Sequence, residues 1–379
     1  MKFKQIYLDY NSSTPTDERV VEAMLPYFNQ HFGNASSVSH QYGQEAKGTI
    51  ERSKTIIKRF FDSENTGDVI FTSGATESIN LALRGVIASP KMRGNHIITT
   101  QTEHKAVLET CNEMRNNGVQ VTFLPVKQNG MINVEELEEC ISPSTALISI
   151  IWANNETGVI QNMEEISKIA KKHSVLLMSD ATQAIGKTEV NLNKVEIDLL
   201  AFSGHKIYGP KGIGGLFLSE SALKSGIMPQ ITGGGQQRSL RSGTLNTPGI
   251  VGLAKAFEIF SEEMNSEIKG IEQLRNKFEN GLKEEISHNV SINGERAPRI
   301  SNTSNVGFEG ISSEKIILQC RELAISSGSA CESNTIAPSH VLKAMGLSEN
   351  LLNSSVRFSL GRFTTTKDIE IALNVLASI

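Results

Sequence analysis

The chain has 379 residues, enough for two domains or for one large and one small domain. Its 37 Lys and Arg residues against 41 Asp and Glu residues give a net charge of −4, which predicts no direct binding to nucleic acid or to an anionic membrane surface. Hydrophobic residues at 39% and charged residues at 21% exclude a disordered chain, and no apolar run approaches the roughly 20 residues of a membrane span.

The middle of the chain alternates short apolar runs with amphipathic helical patterns. The apolar runs predict strands at 69–72, 96–100, 119–126, 146–152, 175–179, 198–202 and 214–218. The helical patterns between them lie at 77–86, 105–116, 134–140 and 163–173. Short strands buried on both faces and separated by helices predict an α/β fold with a mostly parallel, seven-stranded sheet.

The remaining elements predict a smaller α+β domain. A long helical pattern at 251–286 leads away from the sheet. It is followed by a strand at 300–308, helices at 313–323 and 339–345, a strand at 356–360 and a helix from 367. We therefore expect a large domain of residues 17–261 and a small domain made of residues 1–16 and 262–379.

Polar residues follow the predicted strands of the sheet at the ends where parallel sheets bind their ligands. Residues 73–76 (Ser-Gly-Ala-Thr) turn a strand into a helix, whose free N–H groups could hold a phosphate. On its own this pattern is more typical of an ordinary helix cap. Glu103-His104, Asn154-Asn155, Asp180 and residues 203–206 follow other strands, so we expect one shared site.

Lys206 and Asp180 come at the ends of neighbouring strand patterns. A lysine is usually solvated, but Lys206 follows Ser203, Gly204 and His205 in a constrained loop, where it could form a Schiff base with a carbonyl cofactor. Asp180 either caps the next segment or pairs with a ring nitrogen. Together they have the arrangement expected for pyridoxal phosphate (PLP), whose ring an aspartate makes electron-poor.

The four cysteines show no CxxC spacing and are too few for a disulfide framework, so we expect no metal site and reduced thiols. Cys111, Cys140 and Cys320 fall in helical patterns and are expected to be structural. Cys331 lies in a Gly- and Ser-rich stretch typical of an exposed loop, which suits a nucleophile. Residues 1–6 lack the apolar stretch of a signal peptide, so we expect a cytoplasmic location.

In order along the chain, these segments resemble the NifS/IscS-type cysteine desulfurases of the class V aminotransferase family. The resemblance is carried by Leu8-Asp9-Tyr10, Phe32-Gly33-Asn34, residues 70–78, 102–107, 154–158, 180–183 and 203–212, Arg241-Ser242-Gly243-Thr244, residues 327–331 and residues 357–362. Each motif alone is weak, whereas the ordered set is specific. The resemblance implies the PLP-dependent transferase fold type I.

The resemblance also implies roles for individual residues. Lys206 would hold PLP covalently, Asp180 would pair with the ring nitrogen, Gln183 would contact the ring oxygen, and His104 would stack on the ring and move protons. The phosphate would be held by Ala75, Thr76, Ser203 and His205, with Thr244 supplied by the other subunit of a homodimer. The substrate carboxylate would be held by Arg357 and Asn155, with Asn34 as a further candidate.

The activity implied by the resemblance is removal of sulfur from L-cysteine. Lys206 would remove the α-proton, and Cys331 would attack the substrate sulfur and keep it as a persulfide while L-alanine leaves. The persulfide would pass to an acceptor protein in iron–sulfur assembly, tRNA thiolation or DNA phosphorothioate modification. Selenocysteine lyase or another class V aminotransferase activity stays open, as does a scaffold that binds only partner proteins, although such a scaffold would not need Lys206 and Asp180.

Overall fold

The computed structural model describes residues 5–92, 94–286, 289–327 and 338–378. The predicted nucleophile Cys331 lies outside the described residues. The strands are β1 (Ile6–Tyr7), β2 (Asp68–Thr72), β3 (His96–Thr100), β4 (Gln120–Leu124), β5 (Thr145–Ser149), β6 (Leu176–Asp180), β7 (Leu199–Ser203), β8 (Gly214–Leu218), β9 (Val290–Ile292), β10 (Thr303–Phe308), β11 (Leu323–Ala324) and β12 (Ser355–Ser359).

The α-helices lie between these strands and after them. They are α1 (Glu18–Met24), α2 (Pro26–Asn29), α3 (Gln41–Phe60), α4 (Ala75–Ile87), α5 (Lys105–Asn116), α6 (Val134–Glu139), α7 (Met163–Lys172), α8 (Glu220–Lys224), α9 (Thr247–Glu285), α10 (Ser313–Gln319), α11 (His340–Ala344), α12 (Glu349–Ser354) and α13 (Thr366–Ala377). Short 3₁₀ turns occur at Gly204–Lys206 and Gln237–Ser239.

Seven of the described strands form one sheet, called here the main sheet, in the order β2-β8-β7-β6-β5-β3-β4. Strand β8 runs antiparallel to both its neighbours, and the other pairs are parallel. Every residue of β2, β3, β5, β7 and β8 is buried, whereas the edge strand β4 is partly exposed. The predicted α/β architecture with a mostly parallel seven-stranded sheet is confirmed.

Successive residues along the strands of the main sheet pack on opposite faces. Leu147 and Leu199 pack with helices α4 and α5, whereas Ile148 and Leu200 pack with α3, α7 and α9. Each fully buried aliphatic side chain contributes about 1.5–3 kcal/mol relative to an exposed one. Because helices cover both faces, the carboxyl ends of the strands are left as the place where polar groups can gather.

A second core surrounds the three-stranded antiparallel sheet β12-β10-β9, called here the small sheet. It contains Phe278 and Leu282 from the second half of α9 and Leu373 from α13. The first half of α9 packs Leu253 and Phe257 against the main sheet instead. The division into a large domain of residues 17–261 and a small domain of residues 1–16 and 262–379 stays a prediction.

The first described residues connect the two sheets. Strand β1 pairs in parallel with β11, and the Leu8 amide donates to the Ala324 carbonyl at 3.0 Å. The Asn11 amide donates to Ser359 Oγ at 2.9 Å, beside the end of β12. The Thr14 amide then donates to the His205 carbonyl at 2.9 Å, directly after β7. This segment therefore brings the small sheet next to the carboxyl edge of the main sheet.

One predicted helix ends earlier than expected, and α3 is the longest of the elements that were not predicted. The helix expected at 313–323 ends at Gln319, because Cys320 leaves the helical conformation (φ −92°, ψ 52°) and Leu323 pairs with β1 as part of β11. The 20-residue helix α3 was not predicted. It begins at Gln41 and is capped by His40, whose ring Nδ1 accepts from the Gly43 amide at 3.2 Å. A histidine cap lies outside the usual Ser, Thr, Asp and Asn start signals.

Within the described ranges, none of the helices is both long enough and apolar enough to cross a lipid bilayer.

Candidate active site

A cavity of about 600 Å³ opens at the carboxyl ends of the parallel strands. It is lined by the loops that follow β2, β3, β5, β6 and β7, by residues 11–13 and by β12. Ten of the predicted site residues line it, namely Ala75, Thr76, His104, Asn155, Asp180, Gln183, Ser203, His205, Lys206 and Arg357. The expectation that polar residues after separate strands form one site is met in the geometry.

Lys206 ends the single 3₁₀ turn that follows β7. Its Nζ donates to the Asn11 carbonyl at 2.6 Å and to the Ser12 carbonyl at 2.7 Å. These contacts with the N-terminal segment hold the amine at the wall of the cavity. A primary amine held in place at a pocket wall is the group that binds a carbonyl cofactor covalently.

Asp180 is the last residue of β6, the strand next to β7. It is 5% exposed, and its Oδ1 accepts from the Thr182 amide at 2.9 Å. His104 caps helix α5, and its Nδ1 accepts from the Ala106 amide at 3.1 Å, which fixes the ring and leaves the proton of the neutral ring on Nε2. Burial lowers the pKa of His104, so the ring is uncharged at neutral pH.

The start of helix α4 has the features of an anion site. Gly74 has φ 155° and ψ 178°, a conformation open essentially to glycine, and no side chain caps the first turn of the helix. A Cβ on Gly74 would lie 3.6 Å from Ser203 Oγ, in the space between the helix start and β7. Burial and the neighbouring lysines lower the pKa of His205 to about 4, so this residue is a neutral hydrogen-bonding group.

Arg357 supplies a buried positive charge from the small sheet. It is 4% exposed and donates to Asp9 Oδ1 at 2.7 Å, to Ser12 Oγ at 2.9 Å and to the Asn155 carbonyl at 3.0 Å. Its Nε and the Oδ1 of Asn155 are buried without a partner among the described residues. Buried polar atoms are rarely left unpaired, so these two atoms mark the place of a polar ligand.

Two of the described predicted site residues, Asn34 and Thr244, do not line this cavity. Asn34 is exposed, and its Oδ1 accepts from the Ser36 amide at 3.0 Å. Thr244 is exposed and lines a separate, smaller pocket with Ser73 and Gly212. Cys331 lies outside the described residues. Across the described ranges, no group of three or more His, Cys, Asp or Glu residues could hold a metal ion.

Two residues that join the site were missed from the sequence. Asn11 is 2% exposed, and its carbonyl accepts from both Lys206 and Gln183. Its Nδ2 donates to Thr303 Oγ1 at 2.8 Å. Lys187 contacts both Gln183 and Asn11. The position of Asn11 directly after the Leu8-Asp9-Tyr10 motif was a possible signal, whereas nothing around Lys187 distinguishes it from a solvated lysine.

The cavity fits PLP. An amine and a carboxylate come from adjacent strands, an uncapped helix start with a glycine lies at the same cavity, and the unpaired Nε of Arg357 remains to donate to a substrate carboxylate. In that arrangement Lys206 would hold the coenzyme, Asp180 would meet the ring nitrogen, and the start of α4 with Ser203 and His205 would hold the phosphate.

Comparison with known proteins agrees with this geometry. The family model "Aminotransferase class-V" matches residues 6–371. Cysteine desulfurase IscS of Rickettsia akari (strain Hartford) is 46% identical over 373 residues, covering 98% of this chain and 90% of the relative. A solved NifS-like protein superposes with a TM-score of 0.89 at 36% identity, covering 99% and 98% of the two chains. SspA in complex with cysteine has a TM-score of 0.81 at 36% identity and covers 95% and 99%.

Glu103, the residue before His104, is a buried carboxyl group without a charged partner in the described part of the chain. It is 0% exposed, its Oε1 accepts from the Ile151 amide at 2.6 Å, and its Oε2 has no partner there. Burial and the neighbouring Asp180 raise the pKa of Glu103 well above its usual value. The carboxyl group of Glu103 therefore keeps its proton to a higher pH in the folded protein than in the unfolded chain, and this lowers stability as the pH rises above about 4.3.

We expect Glu103→Gln to stabilise the protein more at pH 8 than at pH 4, because glutamine stays neutral in both states and removes the cost of keeping Glu103 protonated at high pH. Denaturant unfolding at the two pH values measures the difference. Glu109→Gln, at an exposed position on the following helix α5, is the matched control and is expected to show no such difference. Equal effects of Glu103→Gln at both pH values would mean that Glu103 is ionised in the folded protein.

Proposed function

The chain belongs to the class V aminotransferase family and is a PLP-dependent cysteine desulfurase, and we propose that the cavity at the carboxyl edge of the main sheet is its active site. The observation that carries this assignment is the meeting of Lys206, Asp180 and Arg357 in one cavity, two of them from the ends of β7 and β6 and the third from β12. The 46% identity to a cysteine desulfurase, which extends over 98% of the chain, favours this activity over selenocysteine lyase or another class V activity.

Substrate binding falls to Arg357 and Asn155. The guanidinium of Arg357 is already oriented by Asp9, Ser12 and the Asn155 carbonyl, and its Nε remains for the carboxylate of L-cysteine. A pre-oriented, buried guanidinium loses little entropy on binding and recognises a carboxylate with strong hydrogen bonds. The solved structure of SspA with cysteine supports L-cysteine as the substrate bound here.

Proton transfer falls to Lys206 and His104. When bound, PLP draws electrons from the α-carbon of the substrate and so makes its proton acidic. Lys206 would hold the coenzyme through Nζ, and its free amine would serve as the base that takes the α-proton of the substrate. His104 is uncharged and fixed at Nδ1, so its Nε2 can carry a proton to or from the reacting groups.

Sulfur transfer falls to Cys331. Its thiolate attacks the substrate sulfur, an S–S bond forms and the C–S bond breaks, with the electron pair staying on the three-carbon fragment. Protonation of that fragment gives L-alanine. The net reaction converts L-cysteine and the Cys331 thiol to L-alanine and a Cys331 persulfide, so atoms and electrons balance without another reagent.

We expect Cys331→Ser to abolish alanine and sulfide release from L-cysteine, at least 100-fold, while the visible absorbance of bound PLP is retained. The hydroxyl of serine cannot form a persulfide. Cys140→Ser is the matched control, since Cys140 does not line the cavity, and it should keep activity within about twofold. Full activity in Cys331→Ser with production of alanine would assign sulfur removal to another group.

We propose a homodimer because a residue expected at the phosphate does not line the cavity of its own chain. Thr244, expected at the phosphate, lies in a separate pocket of its own chain. Phe28, Phe32 and Val38 expose 63%, 65% and 70% of their surface, an unusual concentration of apolar groups for a free surface. We assign the missing phosphate contact to Thr244 of the partner subunit.

Sedimentation is expected to give twice the 41.3 kDa mass of one chain. Co-expression of Lys206→Ala and Thr244→Ala chains should then produce mixed dimers with one intact active site, and so about half of the wild-type activity per mixed dimer. Each variant alone gives the baseline. A monomer in solution, or mixed dimers no more active than the better single variant, would contradict the shared site.

The acceptor is proposed to be a protein in the cytoplasm that serves iron–sulfur assembly, tRNA thiolation or DNA phosphorothioate modification. The net charge of −4 gives no reason for this chain to bind the nucleic acid itself. After incubation with ³⁵S-cysteine, we expect label on the wild-type chain and on one co-purifying protein, whose identity selects the pathway. With Cys331→Ser the acceptor should receive no label, and label that still reached it would contradict transfer through the persulfide.

A further inference from the structure

Lys187 lies behind the active-site cavity, four residues after Gln183 in the turn that follows β6. Its Nζ donates to Gln183 Oε1 and, at 3.2 Å, to Asn11 Oδ1. The residue is half-buried as a whole, but its ammonium end is enclosed by protein and faces a small internal pocket shared with Lys206. Among the described residues, no carboxylate lies within ion-pair distance of this ammonium group.

Two contacts orient the Gln183 amide, one from Lys187 to its oxygen end and one from its nitrogen end to the Asn11 carbonyl. The oxygen and nitrogen ends of an amide have nearly the same shape, so hydrogen-bond partners alone select the orientation. Lys187 Nζ donates to the Oε1 of Gln183, a bond for which both the charged and the neutral amine have N–H groups, and this oxygen therefore faces Lys187. The Nε2 then points the other way, donating one hydrogen to the Asn11 carbonyl at 2.9 Å and keeping a second for another acceptor.

Lys187 constrains Asn11 in the same manner. The Oδ1 of Asn11 accepts from Lys187 and from Asn302 Nδ2 at 3.0 Å, while its Nδ2 donates to Thr303 Oγ1 at 2.8 Å. The Asn11 carbonyl is thereby held where both Gln183 and Lys206 reach it. Both amides that Lys187 fixes belong to residues that line the active-site cavity, although Lys187 does not.

The surroundings of Lys187 suit a hydrogen-bonding role better than an ionic one. Burial, with the nearby cations Lys206 and Arg357, lowers the pKa of Lys187 well below its usual value. A neutral amine in this place still has N–H groups for both amide oxygens, whereas an ion pair would require a carboxylate.

We propose that Lys187 is a positioning residue, which holds the Gln183 amide with its nitrogen toward the cavity so that Gln183 meets the ring oxygen of PLP as a hydrogen-bond donor. The inference rests on the proposed contact between Gln183 and the coenzyme. Lys187 is assigned no contact with the coenzyme or the substrate.

The test is a double-mutant cycle on the full chain, with the dissociation constant of PLP and the position of its visible absorbance band as readouts. Lys187→Met removes the donor while keeping an unbranched side chain, and we expect it to weaken PLP binding about three- to tenfold and to shift the band. Gln183→Leu should do the same. In the Gln183→Leu background, Lys187→Met should add less than a twofold change, because the contact it supports is already absent.

Lys172→Met, at an exposed position, is the matched control and should leave both readouts unchanged. An unchanged PLP affinity and band in Lys187→Met, or an undiminished effect of Lys187→Met in the Gln183→Leu background, would overturn the proposal. If Gln183→Leu itself has no effect, the assigned contact of Gln183 fails, although PLP binding by the wild type still stands.

A crystal structure of the PLP-bound wild type gives a test that needs no variant to fold. It should retain the contact of Lys187 Nζ with Gln183 Oε1 and place Gln183 Nε2 within hydrogen-bond distance of the ring oxygen. A Lys187 side chain turned away from Gln183, or one bonded directly to the coenzyme, would overturn the proposal.

Discussion

The parallel pairing of β6 with β7 is the constraint on which the active site depends. Asp180 ends one strand and Lys206 follows the other, and the pairing of Asp180 with Ala201 fixes how far apart these ends lie. Because both strands are buried between helices, neither can slip without moving its entire apolar set to the wrong face. The hydrophobic packing of the main sheet therefore holds Asp180 and Lys206 at one cavity. Attraction between their charges is not needed to bring them there.

The small sheet and the N-terminal segment complete that edge with groups that the main sheet lacks. Arg357 brings a buried cation, and Asp9 and Ser12 hold it in place. The carbonyl of Asn11, the residue before Ser12, accepts from Lys206 Nζ and so connects the residues around Arg357 to Lys206. Arg357 and Lys206 thus belong to one buried hydrogen-bond network. Leaving one of its polar groups unpaired costs more folding free energy than an average hydrogen bond contributes.

Prediction from sequence was most successful where one physical pattern dominates. The strands of the main sheet could be found because burial on both faces leaves short apolar runs, and polar residues after those runs had to meet at one edge. Helix α3 was missed since its start depends on a histidine cap. The roles of Asn11 and Lys187 arise from contacts between distant parts of the chain, which no local pattern encodes, and Thr244 and Asn34 do not reach the cavity within one chain.

The hydrogen bond from the backbone N–H of Asn11 to Ser359 Oγ joins residues that are 348 positions apart. At a translation rate of about 5–20 residues per second, the ribosome adds Ser359 roughly 17 to 70 s after Asn11. The main sheet can collapse on the nascent chain long before then, but the cation that recognises the substrate is not yet available. PLP can therefore bind before the enzyme is active. The enzyme then releases no reactive sulfur until translation is nearly finished.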